Sequence, residues 1–346
     1  MARSVWWLVL TATLAAGCGL NMPREQITLA VLSGAYYAAE PADAAIEGAV
    51  VEDSEVLLTK AVADLNAAKK VDFVLVAGDL LARGDALSLD RARAILSTLR
   101  MPYHVVLGIT DGPGPLAEKP AGTASPAAKP PAPGAVSQAT VVWAFQGHGF
   151  TGPEGYWSRE VLPGILMIGL DTVQPGQRGG HVDPRQLVWL ERTLTENAGK
   201  TVLVAAYHGL VPLHPLQEAA GWKHMTVDNA AAVLKVLDRH PNVVLMISGS
   251  NHFAAGQVSG RTVHLSGPSV SVWPLAYQLV RLTRKEVEPA WVPLGSEEMS
   301  RRAQERLLAS PRYRGVFPLG EDGDTACIRL FGSKKTEVFA LPGIRP

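Results

Sequence analysis

Two aspartates and two histidines stand at the ends of short apolar runs, where a folded chain could bring them together. Asp79 closes the stretch 71–79 (VDFVLVAGD) and Asp111 closes 102–111 (PYHVVLGITD). His208 follows 201–206 (TVLVAA), and His252 follows 243–247 (VVLMI). Carboxylate oxygens and imidazole nitrogens bind divalent cations and carry protons. Side chains of these types brought together could hold a divalent metal such as Mn, Fe or Zn. Asp111 is a candidate catalytic group. Each residue also has a plainer reading. Asp79 can cap the backbone of its own turn, Asp111 before Gly112 reads as a turn residue, and His252 can be a hydrogen-bonded strand-end histidine. His104, inside an apolar run, reads as structural, while His148, His181, His214 and His224 fall in loops with no spacing that suggests a site. Trp157 and Trp189 read as core, and Cys327 as a buried lone thiol.

The elements that must position these residues alternate. Apolar β-rich runs at 27–32, 71–77, 103–107, 165–170, 201–206, 243–247 and 262–265 predict strands. Helical periodicity covers 54–70, 87–100, 184–196, 227–239 and 296–308, with Ser54 and Ser296 as expected N-caps. Strand–helix alternation predicts an α/β fold with parallel pairing, whose chemistry lies in the loops after strand C-termini. Residues 112–138 break the pattern. They are rich in Pro, Ala and Gly and read as a surface insertion within one domain.

The chain has 346 residues, of which 47% are hydrophobic. Its 32 Lys and Arg equal its 32 Asp and Glu, so no basic surplus points to nucleic acid. The two cysteines, Cys18 and Cys327, rule out a disulfide framework as the organising principle. Residues 1–18 read as an export signal: Arg3, a charge-free apolar run at 5–16, then Ala15, Ala16, Gly17 and Cys18. That run is too short to span a bilayer. The sequence 14–18 (LAAGC) resembles the lipobox of bacterial lipoproteins. The resemblance implies lipidation at Cys18, a membrane anchor and an exported envelope protein, with Gly19 favouring the outer membrane.

Seven segments taken in order resemble the calcineurin-like metallophosphoesterases. They are 71–79 ending in Gly78-Asp79, 102–111, the hairpin of 155–158 and 168–171, QLVWL at 186–190, YHGL at 207–210, GSNH at 249–252 and PLAY at 274–277. The resemblance covers about residues 27–282 and implies a four-layer α/β/β/α metallophosphoesterase sandwich. It divides the chain into a signal peptide (1–18), the phosphoesterase domain (19–285) and a C-terminal extension (286–346) packing on that domain.

Family chemistry needs two cations about 3.5–4 Å apart, joined by a bridging carboxylate. Matched to the family motifs, Asp79 keeps the bridging position and His252 the second histidine of GHxH. Gly34 and Tyr36 replace the DxH ligands, Ile109 the amide ligand, Thr110 the acid histidine, Tyr207 the HHP ligand and Ser250 the first GHxH histidine. A one-residue shift would return His208 as a ligand, and the resemblance then implies that Asp79, His208 and His252 remain as three ligands, enough for one divalent metal. Glycine and isoleucine offer no donor, and neutral tyrosine is a poor one. The expectation is an envelope-anchored pseudoenzyme with no resident cofactor, acting in binding or structure alongside an envelope protein partner. The alternative is an active metal-dependent phosphoesterase with a remodelled site holding one divalent metal.

Overall fold

The computed structural model describes residues 24–40, 46–113, 134–218, 220–310 and 337–341. The export signal with Cys18, residues 114–133 of the Pro/Ala-rich stretch and Cys327 lie outside the described residues.

In chain order the elements are β1 (Gln26–Leu32), α1 (Ser54–Ala67), β2 (Phe73–Ala77), α2 (Ala86–Leu96), β3 (Tyr103–Val106), α3 (Gln138–Ala144), β4 (Trp157–Leu162) and β5 (Ile165–Gly169). There follow α4 (Pro184–Glu196), β6 (Thr201–Ala206), α5 (Ala230–Leu237), β7 (Val243–Ser248), β8 (Ala255–Ser259), β9 (Thr262–Ser266), β10 (Ala276–Thr283), β11 (Glu286–Pro293), α6 (Glu297–Ala309) and β12 (Phe339–Ala340). They build two six-stranded sheets, ordered β12-β11-β10-β1-β2-β3 and β4-β5-β6-β7-β9-β8. Parallel pairs run from β1 through β2 to the β3 edge of the first sheet and through β5–β6–β7–β9 in the second, and antiparallel strands finish the other edges.

Side chains alternate across a strand, and the core shows it. Ile165, Met167, Leu203, Ala205, Leu245 and Ile247 turn inward and join Val31, Leu75 and Val105 of the first sheet in one apolar cluster. Their neighbours Leu166, Ile168, Val202, Val204 and Met246 turn outward onto Leu190 and Leu194 of α4 and Val233 of α5. The other outer layer is α1 and α2, which bury Leu57, Leu58, Leu65 and Leu89. This is the expected four-layer α/β/β/α sandwich.

Local differences have local causes. α1 starts at Ser54 itself, directly after a 3₁₀ turn at Val51–Asp53; the Ser54 hydroxyl accepts instead from the Ala38 N–H (3.2 Å). Ser296 caps α6 as expected, accepting from the Met299 N–H. The end of the 112–138 stretch is ordered structure, because Ser137 caps α3 through the Thr140 N–H and starts that helix at Gln138. The boundary at 285 falls in the turn of the β10–β11 hairpin, so β11 continues the first sheet.

Candidate functional site

Loops at the C-terminal ends of β1, β2, β6 and β7 converge on Asp79. Backbone bonds stitch the first two together: Gly34 N–H to Gly78 O, Tyr36 N–H to Asp79 O and Tyr37 N–H to Leu80 O. In the second sheet the β7 loop is tied to the β6 loop, its Gly249 and Ser250 N–H groups both donating to Tyr207 O at 3.0 Å. Tyr36, Asp79 and His252 all adopt left-handed backbone, with φ of 45°, 51° and 62°. Side chains other than glycine rarely occupy that region, and its use marks backbone held in place by its surroundings.

Asp79 has no exposed surface and accepts at both oxygens. Oδ1 receives the Thr110 N–H (3.0 Å) and shares the Thr110 hydroxyl (3.0 Å) with Leu81 O. Oδ2 receives the hydroxyls of Tyr36 (2.8 Å) and Tyr207 (2.5 Å). The single phenolic proton of Tyr36 goes to Asp79, so its oxygen is the acceptor for His252 Nε2 at 3.3 Å. That bond places a proton on Nε2, and the two rings meet edge to face.

The remaining expected residues are placed as follows. His208 is buried with both nitrogens engaged away from Asp79: Nε2 donates to Arg178 O and Nδ1 accepts from the Thr172 hydroxyl, each at 2.9 Å. Burial pulls its pKa down to about 4, against the bond to Arg178 O. Ser250 Oγ donates to Met225 O. Ile109 is buried in the loop after β3 and its side chain has no donor or acceptor to offer a cation. Asp111 accepts from Leu81 N–H (2.9 Å) and Gly108 N–H (2.7 Å), the geometry of a turn-holding aspartate. Burial, and then the nearby Asp79, raise its pKa to about 7.

Position 34 is closed to a larger side chain. A Cβ there would sit 2.6 Å from Ser269 Oγ and 3.0 Å from His252 Nε2. Ser269 comes from the loop after β9 and donates to Gly34 O; no motif pointed to it. Nor did one point to the apolar layer over the site, where Trp222, Met225, Phe253 and Val272 pack with Tyr36 and with Leu307 of α6. Arg302 and Arg306 hold α6 there through Asp53 and Glu52.

The residues present do not fit two metal ions. Asp79, the one carboxylate at the bridging position, has both oxygens occupied by protein donors, and His208 is engaged elsewhere. Among the described residues, no three His, Cys, Asp or Glu side chains gather to hold a cation. Among the described residues, no helix is long and apolar enough to cross a membrane.

The sandwich recurs in solved structures. A dimetal phosphatase from Danio rerio superposes with a TM-score of 0.57 at 16% identity, covering 78% of this chain and 97% of that one. No family model matches the chain. Curated relatives do. A probable cyclic nucleotide phosphodiesterase of Synechococcus sp. is 25% identical over 203 residues, 58% of this chain and 66% of that protein. The manganese-dependent ADP-ribose/CDP-alcohol diphosphatase of Xenopus tropicalis is 40% identical over 86 residues, 24% of this chain and 23% of that protein. The matches thus span less than two thirds of these relatives. The fold is that of the metallophosphoesterases. The sequence relatives, a phosphodiesterase and a diphosphatase by name, agree with that fold.

Proposed function

We propose that the chain is a metallophosphoesterase relative in which a metal-free, hydrogen-bonded core stands where the two-metal centre would be. On this reading it works in binding or structure at the bacterial envelope and not in hydrolysis. The observation that carries the reading is Asp79, whose oxygens are taken by Tyr36, Tyr207 and Thr110. Two-metal hydrolysis needs that carboxylate free to bridge cations. The closed position 34 and the apolar roof support the same reading, because Asp79 and His252 have no exposed surface to offer a substrate phosphate. The LAAGC sequence supports a lipid anchor at Cys18 and an envelope protein as partner. Equal charge totals give no reason to expect nucleic acid.

The test is metal stoichiometry. The protein is loaded with manganese, iron and zinc, desalted and counted by mass spectrometry, then assayed on phosphomonoesters and phosphodiesters. No retained metal and no turnover is the expected result. Roughly two metals per chain, the complement of this chemistry, would overturn it. A second reading, a metal-dependent phosphoesterase with a remodelled site, draws on the relatives, one of them manganese-dependent by name. It requires that Asp79→Ala abolish activity while the protein stays folded.

A further inference from the structure

A second cavity lies at the far end of the sandwich, at the N-terminal end of β3, a strand's length from the loops around Asp79. It occupies about 420 Å³ in the seam between β3 and β4, the edge strands of the two sheets. Ligand sites are commonly of this size. One wall is apolar, from Leu99, Met101 and Val161, and the other carries Arg159, His104 and His148.

The polar wall has unused hydrogen-bonding capacity. His104 is almost fully buried, and neither of its ring nitrogens has a partner. Its ring lies among apolar neighbours, 6.0 Å from Phe73 and 5.7 Å from Trp157 between centroids. An imidazole left unpaired in such a place costs stability that a phenyl ring would not. His148 is stacked on Tyr103 at 3.8 Å and donates Nδ1–H to Tyr103 O, which leaves its Nε2 as an acceptor. Arg159 spends one N–H on Gly147 O, and the rest of its guanidinium has no protein partner among the described residues. The acid in the wall, Glu160, is already bound by Lys200 and by the Gly164 N–H.

We infer that this cavity binds a small organic carboxylate, the acid group on Arg159 and His104 and the apolar body against Leu99, Met101 and Val161. A guanidinium fork matches a planar carboxylate. Burial and the nearby Arg159 pull the His104 pKa down to about 4, so near neutral pH its imidazole is a neutral hydrogen-bonding group. One fixed cation then faces the ligand, which suits a monoanion better than a phosphate dianion.

The purified protein is titrated with short-chain aliphatic carboxylates and benzoate, with their amides and inorganic phosphate as controls. The His104 and His148 ring resonances are followed by NMR. Saturable shifts with a carboxylate, absent with its amide, are expected. Arg159→Gln should weaken binding roughly tenfold or more, the factor a charge-assisted hydrogen bond carries. Arg159 is exposed on an edge strand, so this variant should still fold. His104→Phe should lower affinity while raising thermal stability. No saturable shift with any carboxylate, or full affinity retained in Arg159→Gln, would overturn the site. Tighter binding of inorganic phosphate than of any carboxylate would overturn the ligand class.

Discussion

Removing one hydroxyl from Asp79 gives a measurable test of whether protein donors hold this core. Tyr207 is buried, and its hydroxyl lies 2.5 Å from Asp79 Oδ2. Tyr207→Phe keeps the ring and deletes the oxygen, so Oδ2 retains only the Tyr36 hydroxyl. A hydrogen bond to a charged acceptor contributes roughly 1.5–3 kcal/mol. With one donor remaining, the loss should fall near the lower end of that range. Tyr36→Phe removes the 2.8 Å bond to Asp79 and also the hydroxyl that bonds His252 Nε2. It should cost more, about 2–4 kcal/mol when both losses are counted. The double substitution leaves Oδ2 with no hydroxyl donor in a site without solvent. Each single variant is cushioned by the other tyrosine, so the double should exceed the sum of the singles by about 0.5–3 kcal/mol, the coupling seen for groups in one network. Urea unfolding with linear extrapolation, run on all four proteins with and without chelator, measures this. Additive losses, or single losses below about 0.5 kcal/mol, would refute the claim that the tyrosines hold the carboxylate. A wild-type protein destabilised by chelator would refute the metal-free core.

Other outcomes follow from the same geometry. Burial lifts the Asp171 carboxyl from 3.8 to about 6, and Asp111 is lifted to about 7. Their contribution to stability is full below the unfolded value of 3.8 and is lost as the pH rises through those folded values. Glu52, Glu160 and Glu191 are shifted down by their partners and act in the opposite sense, so a difference is the readout. Wild type should lose more stability than Asp171→Asn between about pH 5 and about pH 7, and equal slopes would contradict the buried acid. Leu307→Ala in α6 removes a fully buried side chain from the roof and should cost about 2–5 kcal/mol by urea unfolding. A loss under about 1 kcal/mol would mean that α6 is not docked on the apolar layer. Adding manganese should leave the melting temperature unchanged, because a cation that binds only the native state must raise it.

The layers of the fold were readable because buried parallel strands are written as continuous apolar runs. TVLVAA at 201–206 and the helix at 184–196 fall at the bounds read from the sequence. Apolar runs did not reveal the antiparallel strands β4 and β11. β4 reads WSREVL with a largely exposed face, and β11 is half-buried throughout, so neither gives an unbroken apolar signal. α3 is a short helix behind a proline-rich stretch that masks its start. In the site, residue types could be read off the motifs, but the direction of each side chain could not. His208 is turned by Thr172 and Arg178, partners 36 and 30 residues away. Tyr36 and Tyr207 look like lost ligands in sequence, and only the folded loops aim both hydroxyls at one carboxyl oxygen. Ser269 and the Trp222, Phe253 and Leu307 roof come from segments with no motif at all.

The left-handed backbone at Tyr36, Asp79 and His252 bears on why such a core persists. Each non-glycine residue in that region stores strain of order 1–3 kcal/mol, and nothing in its local sequence favours the conformation. These three residues sit on three separate loops from both sheets, and their side chains bond one another in a chain from His252 through Tyr36 to Asp79. In a metal site, cations bonded to several loops would hold such geometry. Here the proposed reading assigns that work to hydroxyl protons, with Tyr207 and Thr110 completing the shell. The loops can then keep an ancestral shape without an ancestral ligand set. On that reading Asp79 is held in place because its two oxygens are where the loops after β1, β3 and β6 meet its own. An aspartate at position 79 then answers a structural need and is not by itself a sign of hydrolysis.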